Sequence, residues 1–149
     1  MKKLLKLSIS LLTVLAAIWA VSGLCEAQAR EKAVKVKMSF NNQEVVIEMF
    51  DNPASQDFLS MLPLSASFDD YARTEKISCL PRKLNTQASP TAGQTQGDFT
   101  YYAPWGNLAI FYKGFGTGGS LYVLGRIISG KDKLAMMNQS FTATFERLE

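Results

Sequence analysis

The chain contains no histidine among its 149 residues and only two cysteines, Cys25 and Cys79. Without histidine it lacks the side chain that most often serves as a general base near neutral pH, and the commonest zinc ligand. A nucleophilic cysteine normally needs such a base to become thiolate. The remaining donors are scattered acids and two thiols, so neither a metal nor another cofactor is expected. Charge is sparse as well. Asp, Glu, Lys and Arg make up 19% of the residues and form no long basic cluster. Nucleic acid is therefore not expected as a partner. The glycine-rich stretch Phe115 to Ser120 lacks the Gly-Lys-Ser/Thr ending of a phosphate loop, and reads as a flexible connection between strands.

The N-terminus is organised differently from the rest. Lys2, Lys3 and Lys6 precede an uncharged run from Leu7 to Val21, and Ala27-Gln28-Ala29 offers a small-x-small cleavage site before Arg30. This is the layout of a secretory signal peptide over residues 1–29. The run is shorter than the ~20 apolar residues that span a bilayer comfortably. A retained N-terminal anchor is the alternative. A lipid attached at Cys25 would want a small residue before it, where Leu24 stands. Of 16 basic and 13 acidic residues the segment holds Lys2, Lys3, Lys6 and Glu26, which leaves 13 and 12, a net +1 in place of +3. Cleavage also leaves Cys79 as the one thiol, so no intramolecular disulfide is expected. The expectation is an exported protein, periplasmic or secreted, with no membrane span once the signal is removed.

Residues 30–149 are enough for one domain with a single core. Val34 to Phe40 alternates apolar and polar, Asn41-Asn42 suits a tight turn, and Glu44 to Phe50 returns; together they predict a hairpin. Asn52-Pro53 is a helix-start signal, with Phe58, Leu59 and Leu62 near one face and Pro63 ending the run. Leu64 to Phe68 is expected to be extended and broken by a solvated turn at Asp69-Asp70. Ala72 to Leu80 is expected to form a strand in which Cys79 is half-buried. Asn85 to Gly97, rich in Thr, Gln, Ser, Pro and Gly, reads as a long exposed loop. Phe99–Tyr102, Asn107–Tyr112, Leu121–Ile128 and Phe141–Leu148 read as strands, and Asp132–Met137 as a short helix. Antiparallel strands closing on themselves with two short α-helices make a mainly β fold, a small closed antiparallel barrel.

Three segments carry a resemblance. Pro53 to Leu59 resembles the first helix of the cyclophilin-like proteins, where a polar turn precedes a Phe-Leu pair. Gly106-Asn107-Leu108-Ala109-Ile110-Phe111 resembles their glycine-led core strand. Val123-Leu124-Gly125-Arg126-Ile127-Ile128-Ser129-Gly130 resembles their late strand and its turn. The chain is most similar to short bacterial cyclophilin-like proteins, in which Leu62-Pro63-Leu64 and Tyr102-Ala103-Pro104 also have counterparts. The resemblance implies a cyclophilin-like β-barrel over residues 30–149. Prolyl isomerases of this fold polarise the prolyl amide with the arginine of a Phe-His-Arg step, which is absent here; Arg73 and Arg82 are the nearest arginines. The pocket Gln and Phe of that family would fall near Leu108 and Ile110, and its Trp and His near Gly116 and Leu121.

Tyr101, Tyr102, Trp105, Phe111, Tyr112, Phe115 and Tyr122 are dense for so short a span. Alternation would bury about half of them and leave the rest for a peptide groove. Trp105, following Pro104 in a turn, is the candidate for exposure. The ligand-binding candidates are Arg73, Arg82, Tyr102, Trp105, Phe111 and Leu121, and Arg82 and Arg126 are cations able to anchor a ligand carboxylate or carbonyl. The expected function is an exported, monomeric domain that binds a peptide or small molecule without established catalysis. The alternatives are a divergent peptidyl-prolyl isomerase for exported proteins and a structural module of a cell-surface assembly.

Overall fold

The computed structural model describes residues 33–149; the expected signal segment, its cleavage site and Cys25 lie outside the described residues. Strand β1 (Lys35–Phe40) sends Val36, Met38 and Phe40 inward, as its alternation demands. It turns through Asn41 and Asn42, both with positive φ, into β2 (Gln43–Met49). Asn52 caps helix α1 (Pro53–Leu59), its side chain accepting the Ser55 N–H at 3.0 Å. The chain continues through β3 (Leu64–Tyr71), β4 (Glu75–Cys79), β5 (Phe99–Tyr102), β6 (Asn107–Phe111), β7 (Leu121–Ser129), α2 (Lys131–Ala135) and β8 (Phe141–Leu148).

The eight strands close into an antiparallel barrel in the order β1-β2-β7-β5-β6-β4-β3-β8. Its interior is aromatic. Phe68 stacks on Phe141 with centroids 5.5 Å apart, and Phe58 of α1 meets Phe99 and Phe145 edge-on at 5.3 and 5.7 Å. Leu134 of α2 joins the same core, fully buried.

Strand β7 holds the layout together. It carries one extra residue against each neighbour: Leu124 between the Phe99–Gly125 and Thr100–Val123 pairs, and Ile128 between the Ile47–Ile127 and Val46–Ser129 pairs. The Leu124 bulge turns its carbonyl out of the ladder, where it accepts the Phe50 N–H and the Ser55 hydroxyl. Helix α1 is thereby fixed against the barrel.

Three local expectations need correction. Asp69-Asp70 does not break the chain. Strand β3 runs through both, Asp69 pairs with Ile77 and Asp70 with Lys76, and the turn comes at Ala72-Arg73, each with positive φ. The two carboxylates point to opposite faces, one bonded by Ser140 and the other by Lys76 and Tyr112. Second, the phase of β4 is inverted: Lys76 and Ser78 point inward, and Ile77 and Cys79 outward, so Cys79 is exposed. The inner face accepts Lys76 because its methylene stem packs in the core while the ammonium reaches Asp70 and the Met137 carbonyl. Third, the 85–97 segment is only partly exposed. Strand β2 pairs with residues 125–129 of β7. The edge of β7 before that is taken by the loop, through Ala92 N–H to Leu121 O and Val123 N–H to Pro90 O. Ala92 is buried there.

Candidate functional site

Strand β6 has two buried faces. Leu108 and Ile110 enter the barrel core. Asn107, Ala109 and Phe111 therefore point outward. There a second apolar cluster of Ala92, Ala109, Leu121 and Val123, with Phe50, Tyr102 and Phe111 against it, lies outside the barrel wall. The expected pocket positions Leu108 and Ile110 are thus core residues, and their outward neighbours face the second cluster. Gly116 lies beneath the rings and methyls of this patch: a Cβ there would be 2.3 Å from the Phe111 ring and 2.6 Å from Leu121.

A cleft of about 300 Å³ opens on this outer face. It is lined by Tyr102, Phe111 and Leu121, by Thr117, Gly118 and Ser120 of the β6–β7 loop, and by Tyr71, Glu75 and Ile77 of β3 and β4. Trp105 stands at its rim, 59% exposed, held edge-on between Tyr71 at 5.9 Å and Tyr102 at 5.5 Å. The β5–β6 turn presents it, closed by the Gly106 N–H on the Tyr102 carbonyl, with Gly106 at a φ of 71°. A second hollow of about 360 Å³ shares Ile77, Trp105 and Asn107 and adds Ser67, Asp69, Ser78 and Cys79.

Asn107 lines both hollows. Only 3% exposed, it donates its amide to the Leu108 carbonyl at 2.8 Å, while its Oδ1 has no hydrogen-bond partner. The Leu108 carbonyl can only accept, which fixes the amide's orientation and leaves the acceptor unanswered. The other buried side-chain atom without a partner among the described residues is Ser78 Oγ, on the inward face of β4. A buried polar atom left unpaired costs about 1–3 kcal/mol, so the Asn107 acceptor beside these hollows suits a ligand that brings a donor.

The six sequence-derived candidates divide. Tyr102, Trp105, Phe111 and Leu121 come together in the cleft. Arg73 lies on the β3–β4 turn, exposed, and lines neither hollow. Arg82 forms an ion pair with Asp57 of α1 and also lines neither hollow. Arg126 pairs with Glu48 at 2.6 Å. Of the seven clustered aromatics only Tyr101 is fully in the core, fewer than alternation suggested, because the outer cluster takes Tyr102 and Phe111. The sequence reading missed Tyr71, Glu75 and Asn107. The alternation of β6 is the signal that finds Asn107: an apolar pair at 108 and 110 leaves 107, 109 and 111 on the opposite face.

The electrostatics are one-sided. Burial raises the Glu75 carboxyl above its ordinary value. Burial also raises Tyr112, together with its bond to Asp70, whereas Lys76 holds the Asp70 carboxyl down. Among the described residues no group of three or more His, Cys, Asp or Glu is placed to hold a metal ion.

The model of a family described as cyclophilin-like matches residues 38–146. Among solved structures, the solution structure of a hypothetical protein from Archaeoglobus fulgidus matches with a TM-score of 0.55 and 16% identity, covering 81% of this chain and 99% of that one. That likeness is one of fold. No curated protein matches the chain.

Proposed function

The chain belongs to the cyclophilin-like family, and on that premise we propose that it is an exported binding domain that holds an extended peptide in the Trp105 cleft without catalysing its isomerisation. The observation that carries this reading is the pairing of an exposed, aromatic-flanked indole with the buried, unanswered Asn107 acceptor at one concave surface. Aromatic rings offer contact area at little entropic cost, and the buried acceptor gains a partner only when a donor arrives. Neither hollow is lined by arginine, the residue a prolyl isomerase of this fold would use. A closed barrel also offers no free sheet edge for strand addition, so recognition falls to side chains.

Binding of fluorescent proline-containing peptides to the full-length protein tests the reading. Trp105→Ala and Asn107→Ala should each weaken binding about tenfold or more. Equal affinity in wild type and both variants would place any binding elsewhere. A prolyl-isomerisation rate above background at high protein concentration, lost in Trp105→Ala, would replace the binding reading with the enzymatic one.

The address rests on Lys2, Lys3, Lys6, the apolar run and Ala27-Gln28-Ala29. No helix among the described residues is long and apolar enough to cross a membrane. Cell fractionation with N-terminal sequencing tests export; a mature chain beginning at Arg30 is expected. Recognition by side chains needs no second copy, and a monomeric mass in solution is expected.

A further inference from the structure

The charged residues lining the two hollows are Glu75 and Asp69, and no lysine or arginine lines either. Four acids elsewhere on the barrel have a cation beside them. Glu48 has Arg126, Asp57 has Arg82, Asp70 has Lys76, and Asp98 has Lys131. Among the described residues Glu75 has neither an ion-pair nor a hydrogen-bond partner, although it is half-buried and stands in register between Tyr71 of β3 and Phe111 of β6. Asp69 has only the Ser140 hydroxyl. A carboxylate set among aromatic rings without a cation is poorly solvated, and a cation entering the cleft would restore what burial removed.

The other acceptors agree with this polarity. Asn107 Oδ1 takes hydrogen bonds and cannot give them, and Trp105 and Tyr71 present exposed aromatic surface of the kind that attracts ammonium and guanidinium groups. The two hollows meet at Ile77, Trp105 and Asn107. A ligand longer than one side chain can therefore run past the indole.

Resting on the peptide-binding reading above, we propose that the cleft selects peptides carrying a basic side chain, its cation held by Glu75 against Trp105 and Tyr71, with Asn107 Oδ1 as the neutral acceptor. The whole chain carries a net charge of +3, so its long-range field does not favour cationic ligands. A preference for them would be local. Arginine, with five donors and a flat face, suits an acid, an amide oxygen and an indole better than lysine does.

Fluorescence anisotropy on the full-length protein tests this with three labelled peptides of one length, identical except for a central Arg, Gln or Glu. The Arg peptide should bind about tenfold tighter than the Gln peptide, and the Glu peptide weakest. In Glu75→Gln, which keeps the side-chain shape, the ratio of Arg-peptide to Gln-peptide affinity should fall below about twofold. Equal affinity of wild type for Arg and Gln peptides, or an Arg preference unchanged in Glu75→Gln, overturns the selection and leaves the peptide-binding reading standing. Failure of all three peptides to bind overturns both.

Discussion

Asp57 and Arg82 meet fork to fork, with 2.6 Å from Oδ1 to one guanidinium nitrogen and 2.8 Å from Oδ2 to the other. The same carboxylate accepts the Asn85 N–H at 2.7 Å, and the guanidinium reaches the Ser60 hydroxyl at 3.1 Å. One acid thus ties helix α1 to the segment that leads into the 85–97 loop. Asp57→Asn keeps the shape and removes the charge, and should cost about 1 kcal/mol near neutral pH, the partner being half exposed. The guanidinium bond lowers the Asp57 carboxyl from 3.8 to about 2. A depressed carboxyl contributes stability above its unfolded value, and that contribution disappears as pH falls through the folded one. The stability gap between wild type and Asp57→Asn should therefore close between about pH 4 and pH 2. Urea unfolding across that range checks it; a gap independent of pH would contradict the pairing.

Gly125 is packed against backbone. A Cβ there would lie 2.4 Å from the Glu48 carbonyl oxygen and 3.2 Å from the Met49 Cα, neither of which can swing aside as a side chain would. Gly125→Ala must push β7 from β2 and should cost roughly 2–4 kcal/mol. Gly93 is the control, with nothing within 4 Å of its would-be Cβ. Gly93→Ala should change stability by no more than about 1 kcal/mol, and in the stabilising direction if its backbone suits alanine. Thermal unfolding of the two variants side by side makes the comparison.

The same glycine shows why so much of the barrel could be read from the chain. Gly125 and Gly130 punctuate the late strand because each lies against β2, Gly130 with a φ of 81° and a would-be Cβ 2.5 Å from the Glu44 carbonyl. Each such constraint admits glycine alone at its position, just as the Asn52 cap and the Asn41-Asn42 turn select asparagine, so residue types record them. What stayed hidden is recorded by no single residue type. Strand β4 alternates Lys76 and Ser78 with Ile77 and Cys79, and hydropathy assigns the apolar pair inward. The barrel does the reverse, because Asp70 and the Met137 carbonyl receive the Lys76 ammonium, while Ile77 and Cys79 face the outer hollow beside Trp105. Likewise the outer cluster around Ala109 gives β6 two apolar faces, and then polarity no longer tells inside from outside. Arg82 looked free because Asp57 lies 25 positions away.

Lys76 makes a further prediction. Its side chain is 1% exposed, its ammonium 2.6 Å from Asp70 and 4.9 Å from the Tyr112 ring centroid. Lys76→Ala removes both the packed stem and the ion partner and should cost about 3 kcal/mol or more. Lys76→Met restores the stem, and Asp70, a quarter exposed and still bonded by Tyr112, tolerates the lost charge. It should stay within about 1.5 kcal/mol of wild type. Asp70 is held low chiefly by Lys76. Its carboxyl should therefore titrate at higher pH in Lys76→Met, by NMR, than in wild type. Equal losses in the two variants would mean that the charge matters more than the packing.

Cys79 reports on the hollow from the opposite face of the same strand. Its thiol is exposed and shares the second hollow with Asp69, Trp105 and Asn107. Access needs no opening of the barrel, so maleimide should modify Cys79 in the native full-length protein without denaturant. Peptide mapping distinguishes it from Cys25. Because the adduct projects away from the core, the urea midpoint should move by no more than about 0.5 kcal/mol in stability. The adduct occupies space beside Trp105, so peptide binding should fall by about tenfold. Cys79→Ser, nearly isosteric, should bind as wild type does and resist the block. Labelling that appears only as the protein unfolds would place the thiol behind the β4 ladder instead of on the hollow's wall.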